Sequence, residues 1–209
     1  MRIVKHFISA LLAGFAIAVG GAVSASAGGG AVSALLGGLG ILIVMIFDMS
    51  LFTMKTSDLA RANRDMEKRI GKLALCMLGN GIGAVLCGFA FRFSAETAVT
   101  YDVEAELSVG ILAVLLRSMF GGLLVYTATH GYNRVGGGFS GCLIAVFAFA
   151  AIEICGFSFA VTDIFYMTAA GAVSFEAAML AVLEIFGNFL GVLLPVVLFA
   201  IRRSPEREN

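Results

Sequence analysis

The feature that most constrains this chain is a series of long apolar stretches joined by short polar connections. A helix that crosses a bilayer needs roughly 20 mainly apolar residues. Six segments meet or nearly meet that requirement, at about 7–27, 33–54, 73–91, 108–129, 139–167 and 175–201. Lipid offers no hydrogen-bond partner to the backbone, so each spanning segment has to be helical. The sequence therefore predicts an all-α membrane protein, with six transmembrane helices in one domain over residues 1–209.

Composition excludes several classes of protein. Only 13% of the residues are charged, against about 25% in a soluble domain. The formal net charge is zero, so no basic field is available to hold nucleic acid. No motif for a metal, a cofactor or a nucleophile–base pair is present, which predicts a protein that is not an enzyme. The four cysteines lie inside apolar segments without CxxC spacing and are expected to be small buried side chains: Cys76, Cys87, Cys142 and Cys155.

The first apolar segment has two interpretations. A basic start, an apolar run and the sequence Ala25-Ser26-Ala27 also fit a secretory signal with a cleavage site. Removing the segment would leave five spans and destroy the internal repeat described below. We therefore interpret it as the first transmembrane helix.

Charged connections predict the orientation of the helices. When six helices are threaded, one side receives most of the basic residues: Arg2, Lys5, Arg61, Arg64, Lys68, Arg69, Lys72, Arg134, Arg202, Arg203 and Arg207. The other side receives an acidic connection with Arg92 at its edge: Glu96, Asp102, Glu104 and Glu106. Basic connections remain on the cytoplasmic side, which predicts an inner-membrane protein with both termini in the cytoplasm.

The two halves of the chain resemble each other. Residues 48–53 align with 153–158 at an offset of 105, and residues 78–83 align with 186–191 at an offset of 108. Three helices per half is an odd number, so one half would be upside down relative to the other. The pattern predicts an inverted 3+3 repeat, with repeat one at about 1–95 and repeat two at about 105–203.

Polar residues interrupt the second and fifth segments, at 48–58 and 153–163. Non-helical backbone at membrane depth is tolerated only when it is buried in protein or lines water. We interpret both segments as broken helices whose breaks meet at the centre. Half-helix N-termini at that point would present partial positive charge and N–H groups, which suit an anion.

At these residues the chain resembles the formate/nitrite transporter family. Leu51-Phe52-Thr53 is similar to the family's motif in the second segment, and Gly156-Phe157 and Phe165-Tyr166 frame its motif in the fifth. Paired glycine–asparagine motifs occur at Gly79-Asn80 and Gly187-Asn188, and Arg117 lies where many members carry an arginine. The resemblance implies an aquaporin-like protomer, a homopentamer in the lipid bilayer, and passage of formate, nitrite or hydrosulfide.

The chain departs from the family's pattern in the fifth segment. The usual Phe-Glu-His-Ser is here Phe157-Ser158-Phe159-Ala160, so the midplane histidine is Phe159. The family's asparagine in the fourth segment is Gly122, and Lys55 stands where many members have asparagine. The missing histidine removes the ring that would protonate a substrate.

The breaks supply the candidate pathway residues. Lys55 is either a positive charge that draws the anion or a lysine snorkelling to the interface. Apolar gates are expected from Leu51, Phe52, Phe157 and Phe159, with helix packing as the alternative. Thr53 and Ser158 align in the two halves, and their hydroxyls would contact the anion or cap the half-helices.

Four polar residues are expected to support the breaks. The amides of Asn80 and Asn188 would satisfy loop backbone. Asp48 and Glu153 would be protonated, or paired with a backbone donor or with Arg117.

These residues predict a channel or secondary transporter for a small monovalent anion, with or without a coupled proton. A first alternative keeps the fold and passes a neutral solute, such as a protonated weak acid or urea. A second alternative is an intramembrane enzyme or accessory subunit, which the absence of a catalytic constellation disfavours.

Overall fold

The structure is a computed structural model that describes residues 2–59 and 66–203, except the side chains of Arg2, Asp58 and Arg203. Arg61, Arg64 and Arg207, which contributed to the predicted orientation, lie outside the described residues. The side chain of Asp58, which was expected to border the first break, is also outside them.

The described residues form ten α-helices and no strand, as the sequence predicts for an all-α protein. In chain order they are α1 (Arg2–Ser26), α2 (Gly30–Gly37), α3 (Leu39–Ile46), α4 (Phe52–Leu59), α5 (Met66–Ser94), α6 (Val103–Ser108), α7 (Ile111–Arg134), α8 (Gly138–Ile154), α9 (Ala160–Ala170) and α10 (Phe175–Arg203).

Four of the described helices are long and apolar enough to cross a membrane, namely α1, α5, α7 and α10. Two shorter apolar stretches, Gly30–Ile46 and Gly138–Ile154, precede the half-helices α4 and α9. The outer faces carry large exposed apolar side chains, such as Phe93 at 84% and Phe139 at 80% exposure. A surface of this kind is suited to lipid, and the protein is a membrane protein.

Glycines allow the long helices to pack backbone against backbone. A Cβ on Gly14 would overlap the carbonyl of Asn80, and a Cβ on Gly83 would overlap the carbonyl oxygen of Leu11, which joins α1 to α5. In the second half, a Cβ on Gly191 would overlap the carbonyl of Met119, which joins α10 to α7. Lipid tails are as apolar as leucine, so close backbone approach is what holds such helices together.

Gly83→Val is expected to lower the yield of folded protein severely, because the new side chain has to displace the backbone of α1. Gly81→Val is the matched control, since no atom lies within 4 Å of a Cβ built at Gly81. Gel filtration of detergent-purified protein measures the folded fraction. Equal yields of the two variants would contradict the packing described here.

The breaks in the second and fifth segments are shorter than the sequence analysis predicts. Helix α3 ends at Ile46 and α4 begins at Phe52, so the first break covers 47–51 and not 48–58. Helix α8 ends at Ile154 and α9 begins at Ala160, so the second break covers 155–159 and not 153–163. The polar residues after each break are accommodated in the first turns of new helices, where their side chains do not interrupt backbone bonding.

Both breaks begin with the same helix ending. Asp48 has a φ of 48°, and Gly156 has a φ of 65°. The N–H of Met49 donates to the oxygen of Val44 at 2.9 Å, and the N–H of Phe157 donates to the oxygen of Ile152 at 2.9 Å. This is the Schellman ending, in which one left-handed residue terminates a helix. Aspartate tolerates that conformation better than most residues do.

These bonds correct the register of the repeat at the breaks. Every matched bond is separated by 108 positions, so Asp48 corresponds to Gly156 and Phe52 to Ala160. The offset of 105 predicted for residues 48–53 is wrong, and with it the pairing of Thr53 with Ser158. Residues 48–53 have similar side chains in 153–158 as well as in 156–161, so the side chains alone do not distinguish the two shifts.

Candidate permeation site

Two asparagines hold the two breaks in place. The N–H of Phe52 donates to Asn80 Oδ1 at 2.8 Å, and Asn80 Nδ2 donates to the oxygens of Ala10 at 2.7 Å and Ser50 at 3.0 Å. Asn80 is completely buried. Each amide therefore satisfies backbone groups that a broken helix would leave unpaired in an apolar interior.

Asn188 makes the corresponding set in the second half. Its Oδ1 accepts from the N–H of Ala160 at 3.0 Å, and its Nδ2 donates to the oxygens of Ser118 at 2.7 Å and Ser158 at 2.9 Å. Asn188 is also completely buried. The two half-helices α4 and α9 thus begin at equivalent, internally bonded positions.

The starts of the two half-helices meet at a pair of phenylalanine rings. Phe52 is the first residue of α4, and Phe159 immediately precedes α9. Their ring centroids are 6.2 Å apart and the rings are within 10° of parallel. Phe149 packs edge-on against Phe159 at 5.9 Å, and Leu51 is buried in the same cluster. The rings separate the two helix N-termini with an apolar layer.

The other candidate pathway residues lie around this layer in different environments. Phe157 packs against the exposed Phe120 at 5.1 Å and lines the same cavity as Phe159. Ser158 is buried beside Phe159. Thr53 is 1% exposed, and the structure shows no hydrogen-bond partner for its hydroxyl among the described residues. Lys55 is half-buried in the first turn of α4.

A cavity of about 740 Å³ leads to Phe159 and is called the vestibule below. Its lining includes the connection 98–101, the second break and the first turns of α9. The ionisable side chains that line it are Tyr101, Glu153, Asp163 and Tyr166, so no described lining residue is basic. Lys55 is not among the lining residues of the vestibule.

The two acids that were expected to support the breaks, Asp48 and Glu153, have surroundings that differ from the prediction. Glu153 accepts from the hydroxyl of Ser24 at 2.7 Å and from the hydroxyl of Tyr166 at 3.4 Å. Asp48 lies within the first break and is exposed, and its left-handed backbone rather than its carboxyl ends α3. The expected alternative of pairing with Arg117 is wrong for both acids: Arg117 pairs with Glu106 at 3.3 Å.

Sequence reasoning missed two residues of this region. Glu184 is 1% exposed in the middle of α10, and its carboxyl interacts with that of Asp163. The signal was present, because an acid within an apolar span is costly and usually functional. Thr162 lines the vestibule and is 4% exposed, and no described residue bonds its hydroxyl.

Comparisons with known proteins agree with this architecture. A family model described as formate/nitrite transporter matches residues 1–201. A solved structure described as an FNT family ion channel superposes with a TM-score of 0.84 and 17% identity, covering 97% of this chain and 91% of that one. A pentameric formate channel with formate bound superposes with a TM-score of 0.80 and 14% identity, covering 96% of this chain and 97% of that one. A search of the curated proteins found no match.

The helical fold with two half-helices is thus that of a membrane channel or transporter. The chain belongs to the formate/nitrite transporter family. At the level of the family it is a transport protein and not an enzyme.

Proposed function

We propose that this chain is a channel or secondary transporter for small monovalent anions of the formate, nitrite or hydrosulfide type. The observation that carries the proposal is the meeting of the α4 and α9 N-termini at the Phe52–Phe159 pair, with the vestibule next to it. Helix N-termini present partial positive charge, which attracts an anion without a fixed cation. The aromatic pair then acts as a constriction that excludes water and hydrated ions.

The outer surface and the charged connections support proposals for the oligomeric state and for the orientation in the membrane. The exposed apolar faces suit a bilayer and neighbouring copies, and one solved relative is described as pentameric, so we propose a homopentamer. We also propose an inner-membrane location with both termini in the cytoplasm, from the charge of the connections. In that orientation the vestibule opens to the outer side, because the acidic connection contributes to its lining.

A second candidate function is passage of a neutral solute. The vestibule favours it, since its ionisable lining residues are acids and tyrosines and would not concentrate anions. A protonated weak acid or a urea-like molecule would meet hydroxyls and carboxyls that donate and accept hydrogen bonds. Competition separates the two: nitrite slows labelled formate uptake if anions share the path, whereas urea slows it if a neutral solute does.

Lys55 is the proposed source of positive charge on the α4 side. Lys55→Met is expected to reduce formate uptake into proteoliposomes by about tenfold, which corresponds to about 1.4 kcal/mol. Lys55→Arg keeps the charge and is expected to retain most of the uptake. Both variants are compared at equal amounts of monodisperse protein. Unchanged uptake by Lys55→Met would assign the residue to interfacial snorkelling and remove it from the pathway.

A further inference from the structure

A pair of carboxyl groups lies beside the vestibule, on two different helices. Asp163 is in the first turns of α9 and lines the cavity, whereas Glu184 is 1% exposed in α10. The two side chains are within hydrogen-bonding reach of each other. No described residue donates to Asp163 Oδ2 or to Glu184 Oε2. A proton on each carboxyl would supply the missing donors, because two bare carboxylates can only accept.

Among the residues that the structure describes, the groups that face the pair do not include a free cation. They are Tyr101 from the connection before α6, Glu106 on α6 and Glu153 on α8. The nearby Arg117 already pairs with Glu106. Burial, reinforced by Asp163 and Glu184, raises the pKa of Tyr101 above its ordinary value, so its phenol keeps its proton. Two ionised carboxylates in this setting would repel each other without relief.

An independent feature indicates that a ligand reaches this point. Thr162, next to Asp163 in the chain, is 4% exposed and lines the vestibule with a hydroxyl that no described residue bonds. A buried hydroxyl left unpaired is costly unless something in the cavity completes its bonding. The carboxyl of Asp163 also accepts from the backbone N–H of Phe159. The pair is therefore linked both to the cavity and to the aromatic constriction.

We propose that Asp163 and Glu184 form a proton-binding site, from which Asp163 protonates the arriving anion before it passes Phe159. This inference rests on the proposed function. The O–H bond of Asp163 breaks, an O–H or equivalent bond forms on the anion, and the electron pair remains on the Asp163 carboxylate. Glu184 keeps its own proton, and its O–H donates a hydrogen bond to that carboxylate, so the pair carries one negative charge instead of two. Hydronium from water in the vestibule restores the proton on Asp163.

The transport test measures labelled formate and internal pH together in proteoliposomes. We expect Asp163→Asn to lower the number of protons carried per formate at least tenfold. Glu184→Leu is expected to lower formate uptake at least tenfold, because the carboxylate left on Asp163 loses its hydrogen-bond donor, whereas Glu184→Gln keeps a donor N–H and should retain most of the uptake. Asp163→Glu keeps a carboxyl group and should retain the coupling of protons to formate. The matched control is Glu176→Gln, an exposed acid on the same helix as Glu184, which should behave as the unmodified protein.

A second readout needs no transport. The infrared spectrum of the purified protein should contain the C=O stretch of a protonated carboxyl, and the Asp163→Asn and Glu184→Gln variants should each lose part of it. Absence of that band from the unmodified protein would overturn the site. Formate uptake with an unchanged proton ratio in Asp163→Asn would overturn the proton step and leave the proposed function standing. A protein that shows the band but carries no formate would overturn the proposed function while supporting the site.

Discussion

Asn188→Ala is expected to destabilise the protein strongly in mild detergent, beginning at the second break. The substitution leaves the N–H of Ala160 and the oxygens of Ser118 and Ser158 without their partner in a fully buried place. Each buried backbone group left unpaired costs about 1–3 kcal/mol, so three of them cost at least about 3 kcal/mol. Ordinary proteins are stable by only about 5–15 kcal/mol, so a cost of this size removes a large share of the total and lowers the unfolding temperature. Thermal unfolding followed by gel filtration measures the effect.

Two other asparagine substitutions make this experiment selective. Asn80→Ala removes the corresponding bonds in the first half and should have a similar effect. Asn133→Ala, at the exposed end of α7, is the control and should change stability little. If Asn188→Ala were as stable as Asn133→Ala, the asparagine would not be what holds the second break.

Phe159→Ala is expected to raise formate uptake roughly tenfold and to weaken discrimination between anions. The ring is 1% exposed and stacks on Phe52, so its removal opens the apolar layer between the vestibule and α4. A dewetted constriction conducts once water can fill it, and about 1.4 kcal/mol off the barrier gives a tenfold rate. Uptake of formate, nitrite and chloride by proteoliposomes provides the measurement.

Loss of a large buried ring also destabilises a protein by about 3–5 kcal/mol, so the gate effect needs a matched control. Phe165→Ala removes an equally buried ring from α9, where Phe165 packs on Phe91 and does not line the vestibule. It should cost comparable stability without raising uptake. A rise of equal size in both variants would indicate general loosening instead of a gate at Phe159.

The sequence predicts the helical class and the location of the breaks, because membrane depth leaves few alternatives for an apolar stretch. Gly79-Asn80 and Gly187-Asn188 also align at the offset that the hydrogen bonds follow. The breaks themselves were misaligned by three residues. Short motifs rich in phenylalanine and serine match at more than one shift, and only the backbone bonds distinguish the shifts.

Contacts between distant parts of the chain could not be predicted. Ser24 directly precedes the possible cleavage sequence Ala25-Ser26-Ala27, yet in the structure it is buried in α1 and donates to Glu153. Asp163 and Glu184 are 21 positions apart on two helices, so no spacing rule brings them together. Their proximity depends on how α9 packs against α10, which is a property of the assembled fold.

The most direct test of the proposed function is a counterflow measurement with labelled formate. Proteoliposomes loaded with unlabelled formate should take up labelled formate faster than protein-free liposomes, and external nitrite should slow the uptake while urea does not. Labelled formate entering no faster than through protein-free liposomes, with labelled urea entering faster, would contradict passage of a monovalent anion between α4 and α9.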